Sequence, residues 1–413
     1  MKTISSPYVT LFIVMCAWMT DAGDSLLYSY VIGSVAKEWN ITLSMAATIG
    51  FLPMAAAALG GPLFGYVADK FGRKASLQVG VLVIGISSLC VAMAQNPTQM
   101  VFARLLVGLA LGGLWTAGMT LISESWDSKS RGKAVAVVQV GFPLGYLYAS
   151  LLAYFFLPSF GWRGAFVACA IPPIFILLLI KYGVQESPIW LQAKNQRGIA
   201  QEKKPSVPLH ELFTKGNVKK VVVASLIAFL GMYGYWAVMT WIPSYLAVVG
   251  FDAKNIPLWT FYILTGAVIG YLAHGAFGDR YGRRKAFALF FIAAAVTSVV
   301  FGLLPVYLNA THGAEAARMA ILLIGPLLSF STGYFSGYGA YYSELFPTRI
   351  RASASGFSFN IGRIGTAIAP GITGALAAWF GVGGALSTAS LAFVACALLI
   401  FILPETAGKS LEA

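Results

Sequence analysis

With 413 residues, 58% of them hydrophobic and only 10% charged, this chain lies far outside the soluble globular class, in which about a quarter of residues are charged. Apolar runs of 18 residues or more recur along it, and each is long enough to cross a bilayer as a helix. The net charge of +13 is then a topological signal and not a nucleic-acid footprint: 22 of the 28 Lys and Arg fall on one side of the membrane, four on the other (Lys37, Arg163, Lys254, Arg318) and two within spans (Arg104, Arg363). The basic side is expected to be cytoplasmic.

Twelve spans are read in chain order, at about 8–34, 43–67, 75–95, 99–122, 133–157, 163–184, 219–248, 256–277, 286–306, 318–343, 352–379 and 384–403. An even number puts both termini in the cytoplasm. The first run lacks a small-residue cleavage site, so no cleavable signal is expected. The predicted fold is an all-α membrane protein of twelve transmembrane helices in two six-helix bundles, residues 1–184 and 218–413. They are joined by a cytoplasmic linker, 185–217, which is basic (Lys194, Arg197, Lys203, Lys204, Lys215) and punctuated by Pro188, Pro205 and Pro208. Cys16, Cys90, Cys169 and Cys396 all fall in apolar spans and read as packed thiols.

The first span carries Asp21 and Asp24, three residues apart and so on one helix face. Two like charges in low dielectric resist joint ionisation, so one of them is expected to hold a proton. A membrane carboxyl that titrates is a proton carrier, the alternative being polar glue between helices. The eleventh span carries Arg363 about 18 Å from its start at Arg351, near mid-membrane. A guanidinium there costs at least about 2.5–3.5 kcal/mol on insertion scales and needs a partner. Either it sits in a buried structural ion pair, or it binds an anion in a transport pathway. Its planar fork matches a carboxylate, and Asn360, one turn earlier, adds an amide donor. Tyr233, Tyr235, Trp236 and Trp241 on the seventh span, with Tyr334, Phe335, Tyr338 and Tyr341 on the tenth, suggest a semi-apolar wall with phenolic donors. Ordinary packing is the competing reading for any one of them.

The two halves repeat each other. Gly65–Lys74 reads GYVADKFGRK and Gly275–Arg284 reads GAFGDRYGRR, each after the second span of its half. Glu124 precedes Arg131 by seven residues, as Glu344 precedes Arg351, each between the fourth and fifth spans. Such parallel repeats build secondary transporters with a midplane site at the repeat interface. In these paired G-x-x-x-D-[RK]-x-G-R-[RK] loops the chain resembles the major facilitator superfamily along its whole length. Arg104–Gly108 (RLLVG), Glu186–Trp190 (ESPIW), Glu344–Arg351 (ELFPTRIR) and Pro404–Glu412 (PETAGKSLE) are similar to motifs of the branch holding sugar porters and metabolite:proton symporters. The paired glutamines of sugar porters are missing from the seventh span, SLIAFLGMYGYWAVMTWIPSYL. Gln139–Gly145 (QVGFPLG) and Asp21–Asp24 (DAGD) resemble carboxylate symporters, which moves the expected cargo from sugar to organic anion.

The resemblance implies that Asp24 pairs with Arg104 when ionised and lets go when protonated, Asp21 being the extra carboxyl of the organic-acid branch. It implies that the loops with Asp69, Arg73, Asp279 and Arg283, joined by Glu124, Arg131, Glu344 and Arg351, latch helix ends and stabilise an outward-open state. It favours a monomer. The expected function is proton-coupled uptake of a small organic anion, a monocarboxylate or aromatic carboxylate, by alternating access. Arg363 would hold the anion, with Asn360, Gln139, Tyr233, Trp236, Tyr334, Tyr338 and Tyr341 around it. A proton-linked exporter of amphiphilic drugs, a sugar:proton symporter and a nutrient receptor remain rival readings. No nucleotide-binding loop, metal cluster or enzyme signature is present, so the expected partners are the anion, protons and the lipid bilayer, with no cofactor, no metal and no nucleic acid. The expected location is the plasma membrane, the inner membrane of a bacterium.

Overall fold

Capping side chains and prolines set where the helices begin. Ser6 accepts a hydrogen bond from the Tyr8 N–H ahead of Pro7, Thr42 accepts from Met45, and Asn96 accepts from Gln99 ahead of Pro97, as N-caps with proline at the first helical position do. The computed structural model describes residues 6–199, 209–214, 216–252 and 255–411. Lys203, Lys204, Pro205, Pro208, Lys215 and Lys254 of the sequence reading lie outside them.

The first bundle comprises α1 (Pro7–Glu38), α2 (Leu43–Phe71), α3 (Arg73–Met93), α4 (Pro97–Ser125), α5 (131–160) and α6 (162–183). The second comprises α7 (Val218–Val248), α8 (Ile256–Tyr281), α9 (Arg283–His312), α10 (Ala314–Leu345), α11 (351–380) and α12 (382–402). No helix-length gap separates α5 from α6 or α11 from α12. Each pair is continuous except at one glycine, Gly161 (φ 62°) and Gly381 (φ 67°). Only glycine adopts that left-handed backbone without strain, so the chain reverses there with no loop. Gly72 (φ 115°) and Gly282 (φ 109°) make the equivalent one-residue turns between α2 and α3 and between α8 and α9. The segment between the bundles is not all irregular: Pro188–Ile199 forms a helix and Leu209–Phe213 a 3₁₀ turn.

Leu, Ile and Phe side chains such as Phe155, Leu178, Ile292, Leu323 and Leu391 stand out from the surface, as lipid-facing positions do in a bundle whose neighbours are acyl chains. Cys90 is exposed among them, while Cys169 and Cys396 are buried and all four cysteines are unpaired. The polar and charged side chains have gone inward instead: Asp21, Asp24, Arg73, Arg104 and Asn360 are all fully buried.

The bundles meet along two seams, α2 against α11 and the first turns of α5 against α8. Both are built on glycine. A methyl group at Gly65 would stand 2.7 Å from Ser353 Cα and 2.8 Å from the Ala352 carbonyl oxygen, and one at Gly275 would stand 2.7 Å from the Gly132 carbonyl oxygen. Backbone approach this close leaves no room for a side chain.

Candidate functional site

The basic ends of the bundles are locked by two charge clusters that repeat each other. Asp69, at the end of α2, accepts the N–H groups of Ala352 (3.2 Å) and Ser353 (2.9 Å) and the Ser353 hydroxyl (2.8 Å), all in the first turn of α11. Asp279, at the end of α8, accepts the N–H groups of Gly132 and Lys133 (both 2.8 Å) in the first turn of α5. Each repeat loop therefore caps a helix of the opposite bundle, where orphan N–H groups and the helix dipole both favour an anion. Glu124 takes Arg73 of its own bundle (2.9 Å) and Arg351 of the other (2.6 Å). Glu344 takes Arg283 (2.8 Å) and, across the seam, Arg131 (2.9 Å). Two residues whose motifs were noted without a role complete the pattern: Glu186 binds the N–H groups of Arg73 and Lys74, and Glu405 those of Arg283 and Arg284. Burial works to raise the Glu405 carboxyl, but the N–H groups of Ala407, Arg283, Arg284 and Thr406 outweigh it and hold it below its ordinary value of 4.5.

Further into the bundle, contacts across the α2–α11 seam climb from Asp69 through Gly61, which lies against Asn360 and Gly356, to Met54 and Arg363. There the seam opens into a hollow between the bundles. Trp18, Met54, Gln139 and Phe142 of the first bundle face Met232, Tyr235, Trp236, Tyr271, Phe335, Phe359, Arg363 and Thr366 of the second. Arg363 is almost fully buried. Its Nε donates to Asn360 Oδ1 (2.8 Å) and its Nη1 meets the Met54 sulfur (3.5 Å). No carboxylate among the described residues lies within ion-pair distance of it. Asp21 faces it from farther off, fully buried, with neither carboxyl oxygen hydrogen-bonded. A buried cation held by a neutral amide and a thioether is short of an acceptor, and a low-dielectric pocket makes that shortage costly.

Asp24, one turn from Asp21, belongs to a separate cluster. Its carboxylate meets Arg104 Nη1 at 3.5 Å, accepts the Ser88 hydroxyl and lies 3.8 Å from the Cys169 thiol. Arg104 also donates to the carbonyl oxygens of Ser25 and Gly50 and stacks over Tyr28. It is fully buried and does not snorkel to the outer surface. Nothing in the sequence marked Ser88 or Cys169, because their helices reach Asp24 only through packing.

The other expected residues divide. Gln139 and Trp236 line the hollow, while Asn360 orients Arg363 and also bonds the Gly356 carbonyl of its own helix. Tyr233 falls off the cavity face of α7, which is made by Met232, Tyr235 and Trp236 at i, i+3 and i+4. Tyr334, Tyr338 and Tyr341 do not reach the hollow. Their face turns into the second bundle, and their hydroxyls bond the carbonyls of Gly231 (2.9 Å), Ile227 (3.4 Å) and Pro404 (2.8 Å). The 3₁₀ turn at Thr332–Ser336 shifts the register so that Phe335 faces the hollow. His274, on α8, is packed edge-on to Phe287 and Phe290. Trp18 could have been found from sequence: it lies three residues before Asp21, on the same face.

Two pseudo-repeated six-helix bundles, a central hollow at their interface and a lock at one end define a polytopic membrane transporter and not an enzyme. The family model of the Major Facilitator Superfamily matches residues 10–325, and the chain belongs to that family. It is 30% identical to the "probable 4-methylmuconolactone transporter" of Cupriavidus pinatubonensis, over 98% of this chain and 92% of that one. It is 29% identical to the cis,cis-muconate transport protein of Acinetobacter baylyi, over 95% and 92%. In fold it is similar to the proton:xylose symporter XylE with a bound halogenated glucose, with a TM-score of 0.82 at 20% identity over 98% of both chains.

Proposed function

We propose that this protein takes up a small organic anion, a monocarboxylate or aromatic carboxylate, together with protons, by alternating access across a bacterial inner membrane, as a monomer with both termini in the cytoplasm. The observation that carries the reading is Arg363: a buried guanidinium between the bundles, beside an aromatic hollow, with no carboxylate among the described residues within ion-pair distance of it. A substrate carboxylate supplies the missing acceptor in a bidentate geometry that Asn360 pre-sets. The names of the muconolactone and muconate relatives support the broader class, a small organic anion.

The cycle follows from the Asp24–Arg104 ion pair and from Asp21, which faces Arg363 from beyond ion-pair distance. With the cytoplasmic latches shut, the hollow is reached from outside. Protonation of Asp24 weakens its grip on Arg104, and protonation of Asp21 removes a buried negative charge that would repel an arriving anion. The anion then docks on Arg363, the bundles rock about the site, and the latches at Asp69 and Asp279 part. Release of anion and proton to the cytoplasm restores the Asp24–Arg104 pair.

The test is binding of carboxylates to the purified protein in lipid nanodiscs. Arg363→Gln is expected to reduce carboxylate affinity at least about 100-fold, the usual cost of unpairing a buried charge. Unchanged affinity in that variant would remove the anchor on which the reading depends.

A further inference from the structure

The hollow has a second polar pole. In the first bundle, two buried polar atoms of side chains that line the hollow have no hydrogen-bond partner among the described residues: Trp18 Nε1 and Gln139 Oε1. Trp18 is 4% exposed and Gln139 is 2% exposed. The orientation of the Gln139 amide is set by its other end, which donates to the Phe335 carbonyl at 3.3 Å and so leaves Oε1 turned away from that bond. Trp18 stacks on Phe142, which fixes the plane of its ring. Buried polar groups in native proteins are nearly always satisfied, and an unsatisfied pair lining a cavity points to a guest that satisfies it.

The chemistry of the pair is specific. An indole N–H only donates and an amide oxygen only accepts. A hydroxyl is the small group whose chemistry answers both kinds of atom, since it accepts from an indole N–H and donates to an amide oxygen. A second carboxylate has no proton to give Gln139, and it would also lie near Asp21, one turn along α1 from Trp18. A bare hydrocarbon end leaves both atoms unpaired. Between the poles the walls are flat rings, Phe142, Tyr235, Tyr271, Phe335 and Phe359.

We propose that Trp18 and Gln139 form a hydroxyl-reading subsite, so that the preferred substrate is a flat carboxylate carrying a hydroxyl on the side away from the acid. The inference rests on the assignment of Arg363 as the carboxylate anchor. It also supplies a reason for the bundles to close on the right cargo: such a molecule is held by Arg363 of one bundle and by Trp18 and Gln139 of the other, bridging the interface that must move.

The experiment compares benzoate, the three monohydroxybenzoates and terephthalate by calorimetry on the full chain in nanodiscs, for wild type, Trp18→Phe, Gln139→Met and Arg363→Gln. At least one hydroxybenzoate is expected to bind about 10- to 100-fold tighter than benzoate, and terephthalate no tighter than benzoate. Trp18→Phe and Gln139→Met should each bring the ratio of hydroxybenzoate to benzoate affinity close to one, and a melting temperature near that of wild type reports that the variants are folded. Arg363→Gln should weaken every acid alike. Equal affinity of benzoate and all three hydroxybenzoates in wild type overturns the subsite, as does a preference that survives both substitutions, or terephthalate binding best; in those cases loss in Arg363→Gln still upholds the carboxylate anchor. Absence of binding of any acid, with Arg363→Gln indistinguishable from wild type, overturns the anchor and the subsite with it.

Discussion

Replacing Asp69 by Asn isolates the cost of opening one latch. Three hydrogen bonds from the first turn of α11 end on this carboxylate, and all three cross between the bundles. The ion pair with Arg73 (3.0 Å) lies within the first bundle, so it is present whether or not the bundles part and cancels from the difference. Asparagine has one acceptor oxygen. If it serves Ser353, whose N–H and hydroxyl share Oδ2, the Ala352 N–H loses its partner on Oδ1. One charge-assisted bond lost costs about 1.5–3 kcal/mol, two weakened to neutral strength cost about 0.5–1 kcal/mol each, and the helix-dipole contribution adds up to about 1 kcal/mol. A shift of about 3 kcal/mol towards the cytoplasm-open state is expected, or roughly 150-fold in the equilibrium. A population of about 99:1 in favour of the latched state would then become nearly even. Spin labels at Lys129→Cys and Arg280→Cys, both exposed and flanking the other seam, read this as a second, longer distance in double electron–electron resonance once Cys90 is removed. Placing the labels away from Asp69 makes the measurement one of rigid-body opening. Asp279→Asn should act alike, and the double variant should approach the sum, because the two clusters share no residue. An unchanged distance distribution in both single variants and the double would refute the latch reasoning.

Other expectations follow from the same geometry. Asp24→Asn should retain carboxylate binding but lose accumulation driven by a pH gradient in proteoliposomes, where wild type should concentrate substrate about tenfold per pH unit for one proton; full pH-driven uptake by Asp24→Asn would sink the coupling role. Gly65→Val cannot fit against Ser353 and Ala352, so it should deplete the latched state in the same resonance assay while leaving the protein folded. Because Glu405 is held below 4.5, its stabilisation is complete above that pH and is lost as pH falls through the lower folded value. Glu405→Gln should therefore melt below wild type at about pH 6, with the gap narrowing as pH falls below 4.5; a gap that stays constant with pH would count against the role given to its four N–H donors.

The fold was legible in the chain because its constraints are local and repeated. Hydrophobic length forces each span, the two glycine–aspartate–arginine loops fall at equivalent places, and lysines and arginines gather on one side. The turns at Gly161 and Gly381 were less visible, since one left-handed glycine in an apolar run looks like any other glycine. The pairing of Asp24 with Arg104 and the charges of the latch were anticipated from the resemblance to the major facilitator superfamily, while burial in a low-dielectric layer by itself said only that such ions need company. The neutral side chains could not. An aromatic face such as Tyr334, Tyr338 and Tyr341 costs nothing to pack against its own bundle, and only the position of neighbouring carbonyls sends those hydroxyls there and leaves Phe335 at the hollow. The same holds for Trp18 and Gln139, whose unpaired atoms acquire meaning only when two bundles distant in sequence enclose a space between them. Charge in a membrane constrains itself through solvation, so the sequence determines it; which apolar or amide group faces a cavity is a matter of helix rotation and register, and packing alone decides that.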